Sequence, residues 1–144
     1  MAFQTEFMTA IATLLNDQGI GTFRTSGTYT SAETAINFDQ LPTDPDRAIA
    51  IALYPVSDEG NTDSIQGIQF RIRGPRNDRR FVKDTTDRIF DALHDLKHTT
   101  WGTTPVVRVY RNSGTNLPAD GNNRQEATQN YYAQITRSGT HRKD

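Results

Sequence analysis

Two neighbouring apolar segments constrain the fold of this chain more than any other feature. The first, Arg47–Tyr54 (RAIAIALY), is a nearly continuous apolar run bounded by turn residues on both sides, which is typical of a central strand covered on both faces. The second, Ile65–Arg73 (IQGIQFRIR), alternates, with Ile68, Phe70 and Ile72 on one side, which indicates a half-buried strand. The chain must therefore build a sheet with a packed face.

Two other segments have the periodicity of helices. Between residues 3 and 18 the apolar residues recur at intervals of three and four, and glycines follow at the C-terminal end, as expected of an amphipathic helix and its C-cap. A second amphipathic segment covers roughly Arg79–Lys97, with Asn77 or Asp78 as its N-cap. Further strand-like segments lie at residues 21–24, 35–38, 106–110 and about 127–136.

The order of these elements is helix, strands, helix, strands, with Gly74-Pro75 expected to end the second strong strand. This order predicts an α+β fold in which two helices pack against a mainly antiparallel (mixed) sheet. A length of 144 residues fits one domain. We expect that domain to cover residues 1–138, with 139–144 as a flexible C-terminal tail, and long polar loops at 56–64 and 112–124.

Composition excludes several classes of protein. The formal net charge is −1, from 16 Lys and Arg against 17 Asp and Glu, which argues against a general nucleic-acid coat or a membrane-surface binder. There is no cysteine, so disulfides, thiolate metal sites and cysteine nucleophiles are excluded. The N-terminus lacks the basic region of a signal peptide, and no segment approaches the length of a membrane span. We expect a soluble protein made in the cytoplasm.

The candidate metal ligands are two histidines. His94 and His98 are four residues apart, so on the predicted second helix they would share a face and could bind one metal ion. A catalytic zinc helix would normally carry Glu after the first His, but Asp95 stands there, and the remaining histidine, His141, lies in the tail. Two solvated histidines near a helix C-terminus are the simpler interpretation. We therefore expect no catalysis, no metal and no cofactor.

Charged residues form two opposite groups in the sequence. The segment RIRGPRNDRR holds five arginines in ten residues, and Arg71 and Arg73 are expected on the exposed side of their strand, opposite Ile72. Asp58, Glu59 and Asp63 occur together in one loop without the regular ligand spacing of a calcium site. A solvated face, a protein interface and a nucleic-acid contact all remain open for the arginines.

Three segments, taken together and in order, resemble a known family. They are LPTDPDRAIAIALYP (41–55), GIQFRIRGPRND (67–78) leading into a helix that ends near DALHDL (91–96), and LPADGNNRQEATQNYYAQITRS (117–138). The chain resembles the minor capsid or tail-completion proteins of long-tailed bacteriophages, the group that includes tail terminators. The strand-to-helix junction IRGPR and the Asn-aromatic pair of the last strand are the most telling motifs. The resemblance covers about residues 3–138.

The resemblance implies a structural virion protein and no enzyme. A tail terminator forms a ring, usually six-fold, that caps the finished tail tube, stops its polymerisation and offers a docking surface to the head connector. The implied partners are further copies of the chain, the tail tube protein and a connector or stopper protein, while genomic DNA passes through the lumen without specific binding. The implied location is the neck of the virion, after synthesis in the host bacterial cytoplasm.

A ring of identical subunits needs two different complementary surfaces on each subunit. Segregated charges of opposite sign suit such pairing. The residues predicted to form ring or neck contacts are Arg71, Arg73 and Arg76 on the strand face, Asp58, Glu59 and Asp63 in the first polar loop, and Leu117, Asp120 and Arg124 in the second. Three alternatives stay open: another head–tail joining protein, a nucleic-acid-binding module acting through residues 71–80, and a metal-dependent enzyme acting through His94 and His98.

Overall fold

The computed structural model of the chain describes residues 2–143. Within this range the chain forms two helices and seven strands. Their bounds are α1 Phe3–Asp17, β1 Thr22–Phe23, β2 Ala35–Phe38, β3 Ala48–Asp58, β4 Asp63–Arg76, α2 Arg80–Leu93, β5 Lys97–Trp101, β6 Thr104–Leu117 and β7 Arg124–Thr136. The N-cap residue of α2 is Arg79, and the side chain of Asp78, one residue before it, accepts hydrogen bonds from the first backbone amides, at Arg80 and Phe81.

All seven strands lie in one sheet, in the order β1-β2-β3-β4-β7-β6-β5. The pairs β1–β2 and β2–β3 are parallel, and every other pair is antiparallel. The predicted α+β fold with a mainly antiparallel, mixed sheet is confirmed. The C-terminal strand β7 lies inside the sheet, between β4 and β6, so residues far apart in the chain meet at its centre.

Both helices pack on the same face of this sheet. The apolar stripe of α1 buries Phe7, Ile11 and Leu15, and α2 buries Ile89 and Leu93, all with no exposed surface. These spacings of four and eight residues place each set on one side of its helix. The core of the domain joins these side chains to apolar residues of the central strands, namely Ile49, Ile51, Ile68, Phe70, Ile72 and Tyr131.

The first half of β3 is covered on both faces, as its continuous apolar run predicts. Ile49 and Ile51 face the helices with no exposed surface, while Ala48 and Ala50 on the opposite face are also buried. The second half of β3 is less covered, and Val56 is exposed. The small alanine side chains leave room on this second face for the loop that precedes β3.

Strands β3, β4 and β6 extend further than the sequence predicts. Strand β3 runs past Tyr54 to Asp58, so the predicted loop 56–64 shortens to residues 59–62. Strand β4 does not end at Gly74-Pro75 but runs to Arg76, with an irregular register towards β7 between Arg73 and Arg76, a position in which a strand tolerates proline. Strand β6 continues to Leu117, through residues 112–117 of the predicted loop 112–124. Its second half lacks apolar alternation, so pairing with β7, and not burial, makes it a strand.

The second helix ends earlier than predicted. It stops at Leu93 because His94 is extended and Asp95 adopts a positive φ of 67°. Asp95 donates its backbone N–H to the carbonyl of Val109, and Leu96 accepts from the backbone N–H of Val109. These contacts lead the chain into β5, whose start lies inside the predicted helix. No helix among residues 2–143 is long and apolar enough to cross a membrane.

Candidate assembly interface

The predicted interface residues lie at opposite ends of the central strand β4. This strand has 14 residues, so at ~3.3 Å per residue its ends are about 40 Å apart. Six of the nine predicted residues lie towards its C-terminal end, namely Arg71, Arg73, Arg76, Leu117, Asp120 and Arg124. The other three, Asp58, Glu59 and Asp63, lie at the β3–β4 turn. We call these the arginine end and the hairpin end.

Arg73 is not on an exposed face, which corrects the expectation from its strand alternation. Only 4% of its surface is exposed. Its guanidinium donates hydrogen bonds to the backbone carbonyls of Pro42, Pro45 and Asp46, at 2.7 to 2.9 Å. The loop before β3 therefore folds over this part of the sheet. Arg73 fixes that loop and is unavailable to a partner in this conformation.

Arg124 is buried in the same way, although the sequence placed it in an exposed loop. Its guanidinium contacts the Asp120 carboxylate at 2.7 Å and the Asp46 carboxylate at 3.2 Å, and it donates to the carbonyl of Thr43 at 2.9 Å. Two buried arginines thus hold the proline-rich loop 41–46 from two sides. This loop is a fixed part of the surface at the arginine end.

The charges of this network shift the pKa values of its members. Burial raises the pKa of Asp120, but hydrogen bonds from the backbone N–H and guanidinium of Arg124 and from the backbone of Asn122 outweigh it, so the pKa is lowered. Burial lowers the pKa of Arg73, and the neighbouring charge of Arg124 adds to this effect. Asp120 is therefore ionised at neutral pH and balances two buried cations.

Two arginines of this end remain accessible. The side chain of Arg71 is half exposed and donates to the Glu126 carboxylate at 2.6 and 2.8 Å. The side chain of Arg76 is 54% exposed and lies 3.6 Å from the Asp46 carboxylate. Of the predicted arginines, these two can reach another molecule without unfolding the loop. Leu117 lies beside them, half-buried at the end of β6.

The face of the sheet opposite the helices carries tyrosines and amides. Tyr110 and Tyr132 meet edge to face at 5.8 Å between ring centroids. Tyr131 is fully buried and Tyr132 is half-buried on the other side, as their adjacent positions predict. Nearby, Gln69 donates to Asn130 and Asn130 donates to Ser113, each at 3.1 Å. Half-buried tyrosines and side-chain amides are suited to protein contacts.

Tyr54 completes this tyrosine cluster across β3 and β4. A Cβ atom on Gly67 would lie 2.3 Å from its ring, so the ring rests directly on the backbone of β4. Burial raises the pKa of the Tyr54 hydroxyl, and Tyr132 adds to this effect. Strand register brings Tyr54 and Gly67 to Tyr132, which no periodic pattern in the sequence reveals.

The hairpin end combines carboxylates with an apolar cavity. Asp58, Glu59 and Asp63 are exposed there, as predicted. Beside them a cavity of about 320 Å³ is lined by Ile65, Val107 and Ile135 together with polar residues of the hairpin. Val107 is 45% exposed. The hairpin end thus offers an apolar patch with an acidic border.

Arg142, close to the C-terminal end of the described residues, lies against this hairpin. The side chain of Arg142 is 23% exposed and donates hydrogen bonds to the carbonyls of Glu59, Asn61 and Asp63 and to the hydroxyl of Ser64, at 2.8 to 3.1 Å. Sequence reasoning missed Arg142, because most of its acceptors are backbone atoms that no side-chain pattern reveals.

The two candidate metal ligands do not share a helix face, which corrects that expectation. His94 follows the last residue of α2, and His98 lies on β5. His94 stacks on Phe90 and accepts the backbone N–H of Arg111 at its Nδ1 atom. Within residues 2–143 no cluster of three or more His, Cys, Asp or Glu side chains could hold a metal ion.

Comparison with known proteins gives one family and one fold. A family model described as "Bacteriophage tail terminator protein" matches residues 14–137. A chain from a solved structure titled "Virion of native gene transfer agent (GTA) particle" superposes with a TM-score of 0.61 at 11% identity, covering 94% of this chain and 95% of that chain. No curated protein is a significant match.

Proposed function

Because the chain belongs to the bacteriophage tail terminator family, we propose that it forms a ring that caps the phage tail tube, with the six copies that are usual in this family. The ring stops polymerisation of the tube and offers its other side to the head connector. This role places the protein at the neck of the virion, as a structural protein without catalysis or cofactor. The match of the family model over residues 14–137 carries the proposal.

The shape of the chain supports a head-to-tail ring. Such a ring needs two unlike surfaces on each subunit. The arginine end presents Arg71, Arg76 and Leu117, while the hairpin end presents exposed carboxylates beside an apolar cavity. Charges of opposite sign on separate surfaces favour association in one orientation. The two ends of the sheet are therefore our candidates for the ring contacts.

Electron microscopy of tail tubes tests the proposal directly. The purified chain is mixed with tubes polymerised from the cognate tube protein, and tube length and end density are measured. We expect a ring at one tube end and arrested tube length. Bare tube ends with unchecked growth contradict the proposal. Binding to a portal-side adaptor in place of the tube would identify a connector or stopper.

A charge exchange tests the candidate ring contacts. Arg76→Glu and Glu59→Arg, each alone, should reduce ring formation on the tubes, because each places like charges opposite one another. The double variant should restore it. Equal ring formation by all variants would contradict the proposed pairing of the two ends, and the capping role would be unaffected. Asp87→Lys, on the exposed side of α2, changes the net charge as Glu59→Arg does and serves as the control for that variant.

A further inference from the structure

The second half of strand β6 has a free edge. On the side away from β7, strand β5 pairs with β6 only as far as Lys97 with Arg108, and backbone hydrogen bonds extend this contact to Val109. Beyond that point no strand within residues 2–143 covers the outer side of residues 112–117. Residues 112–116 are all exposed. A strand edge without a neighbour leaves backbone N–H and C=O groups unpaired.

This edge lacks the features that usually protect a free edge from pairing. Exposed edges in soluble proteins are usually short, charged, or interrupted by proline or a bulge. Residues 112–117 read NSGTNL, with neither charge nor proline, and from Ser113 to Leu117 the register with β7 is regular. A cavity of about 310 Å³ lies along the same residues. The edge is therefore suited to accept a further strand.

Strand register shows which backbone groups of this edge are free. Val109 directs its N–H and C=O outward and pairs with Ala133 of β7. Backbone groups alternate in direction along β7, so the partners of the residues four and six positions before Ala133 also point outward. These partners are Gly114 and Asn116. Each of them offers one N–H and one C=O to a neighbouring strand.

A second free edge lies on the other side of the sheet. Strand β2 pairs with β3 only as far as Phe38 with Ile51, and among the described residues no strand covers the outer side of β3 beyond that pair. The carbonyl of Ile51 points outward, where it accepts the N–H of Asp39, so Leu53 and Pro55 point outward as well. Pro55 has no N–H to donate, so two β3 edges would pair poorly. The donors of the β6 edge suit it better.

The two edges are placed as a closed ring of strands requires. The free half of β3 lies at the hairpin end on one side of the sheet, and that of β6 lies at the arginine end on the other side. Strands that close into a barrel are staggered along their length, so edges at different heights favour closure. Strands β3 and β6 run in opposite directions, so neighbouring copies would pair antiparallel. Such pairing brings the exposed Asp58 near the exposed Arg111, with charges of opposite sign.

We propose that the free edge of β6 binds the free edge of β3 of the adjacent copy, so that one sheet continues from subunit to subunit around the ring. In the register that uses the outward groups before the bulge of β3, Leu53 lies opposite Asn116. Ala52 then lies opposite Leu117, on the face that carries the tyrosines in both copies. This inference rests on the proposed ring.

The absence of cysteine from the chain makes a disulfide test specific. The test variant carries Ala52→Cys and Leu117→Cys. Within one chain β4 and β7 separate these two strands, so the residues lie at least about 14 Å apart, beyond the reach of a disulfide. Ala52→Cys with Ser113→Cys is the matched control, because Ser113 lies about 13 Å from Leu117 along the same face. Capped tubes are oxidised, and the chains are separated by size without reductant.

We expect linked chains, up to a closed ring, for the test variant and about tenfold fewer for the control, since a disulfide tolerates only short separations. Capped tubes without linked chains, or equal linking in the control, overturn the strand pairing and leave the capping role intact. Linked dimers of a Thr115→Cys variant also overturn it, because they report two β6 edges paired with each other. Tubes that the parent chain leaves uncapped overturn the proposed function and the strand pairing with it.

A backbone substitution gives an independent readout. Asn116→Pro removes one outward N–H and none that pairs with β7, so the midpoint of urea denaturation should stay that of the parent. The chain concentration that caps half of the tubes should rise at least about tenfold, because a hydrogen bond between copies is lost and the proline ring blocks the edge. Asn116→Ala keeps the N–H and should cap tubes like the parent. Equal capping by the proline and alanine variants overturns the strand pairing.

Discussion

Arg73 and Arg124 show how a cation can serve the fold of a chain without facing solvent or a partner. Each has little exposed surface, and each donates to the loop that precedes β3. A buried guanidinium is stable only when its donors are matched by acceptors. Here backbone carbonyls and the carboxylates of Asp46 and Asp120 supply them. These arginines therefore stabilise the loop at the arginine end.

The variant Arg73→Met should lower the free energy of unfolding by about 3 kcal/mol, because three buried carbonyls lose their donor. The matched variant Arg76→Met should change it by less than about 1 kcal/mol, since the Arg76 side chain is half exposed and its ion pair is long. Urea denaturation of the two variants and the parent measures both effects. Equal losses in the two variants would contradict the role assigned to Arg73.

The lowered pKa of Asp120 makes its contribution to the free energy of unfolding depend on pH. Because its carboxylate is held ionised in the folded chain, the unfolded chain binds more protons as the pH falls. Its contribution is complete above the unfolded pKa of about 3.9 and is lost as the pH falls through the lower folded value. Asp120→Asn should therefore show a smaller decrease in unfolding free energy below about pH 4 than the parent. Denaturation experiments at several pH values measure this. Equal decreases in the unfolding free energy of Asp120→Asn and the parent below about pH 4 would contradict the prediction.

At the scale of elements, apolar periodicity decides what could be predicted. Helix α1 and strands β3, β4 and β7 have clear patterns, and the sequence predicted their ends to within about four residues. The second half of β6 has no such pattern. Strand β5 was not predicted, because Leu96 continues the apolar spacing of α2 and so extends the predicted helix to the start of the strand. The burial of Arg73 could not be predicted, because the loop covering it is not a periodic element.

Contact between β3 and β4 predicts a coupled pair of substitutions. Gly67→Ala should lower the free energy of unfolding by about 1 to 3 kcal/mol, because the new methyl group displaces the Tyr54 ring. In a Tyr54→Ala background the same change should be neutral or stabilising, since the obstacle is gone and alanine loses less backbone entropy than glycine. A double-mutant cycle measures this coupling. Additive effects would show that the ring does not rest on Gly67.

At the scale of the whole molecule, residues 2–143 form one sheet with unlike ends, and Arg142 contacts the hairpin end. Folding and assembly depend on different residues, because the core lies between α1, α2 and the central strands. The ring contacts that we propose lie outside it. Substitutions at the arginine and hairpin ends can therefore alter assembly while the domain stays folded, provided that Arg73 and Arg124 are retained.

A chain that ends at Ser138 should unfold in a single cooperative transition, because it keeps every strand and both helices. Its calorimetric and van't Hoff enthalpies should agree, as for a two-state domain. We also expect faster hydrogen exchange at the hairpin, residues 59–63, and unchanged exchange in β4 at residues 68–72. A loss of the cooperative transition would place residues 139–144 within the folding unit and contradict the predicted boundary at 138.

The position of β7 between β4 and β6 also governs when the chain can fold during synthesis. Strand β4 pairs with residues 124–136, so Gln69 finds its partner Asn130 only after 61 further residues. Such distant pairing slows folding. A nascent chain that stops before residue 124 lacks the strand that joins the two halves of the sheet. The complete sheet can therefore form only after β7 has been synthesised.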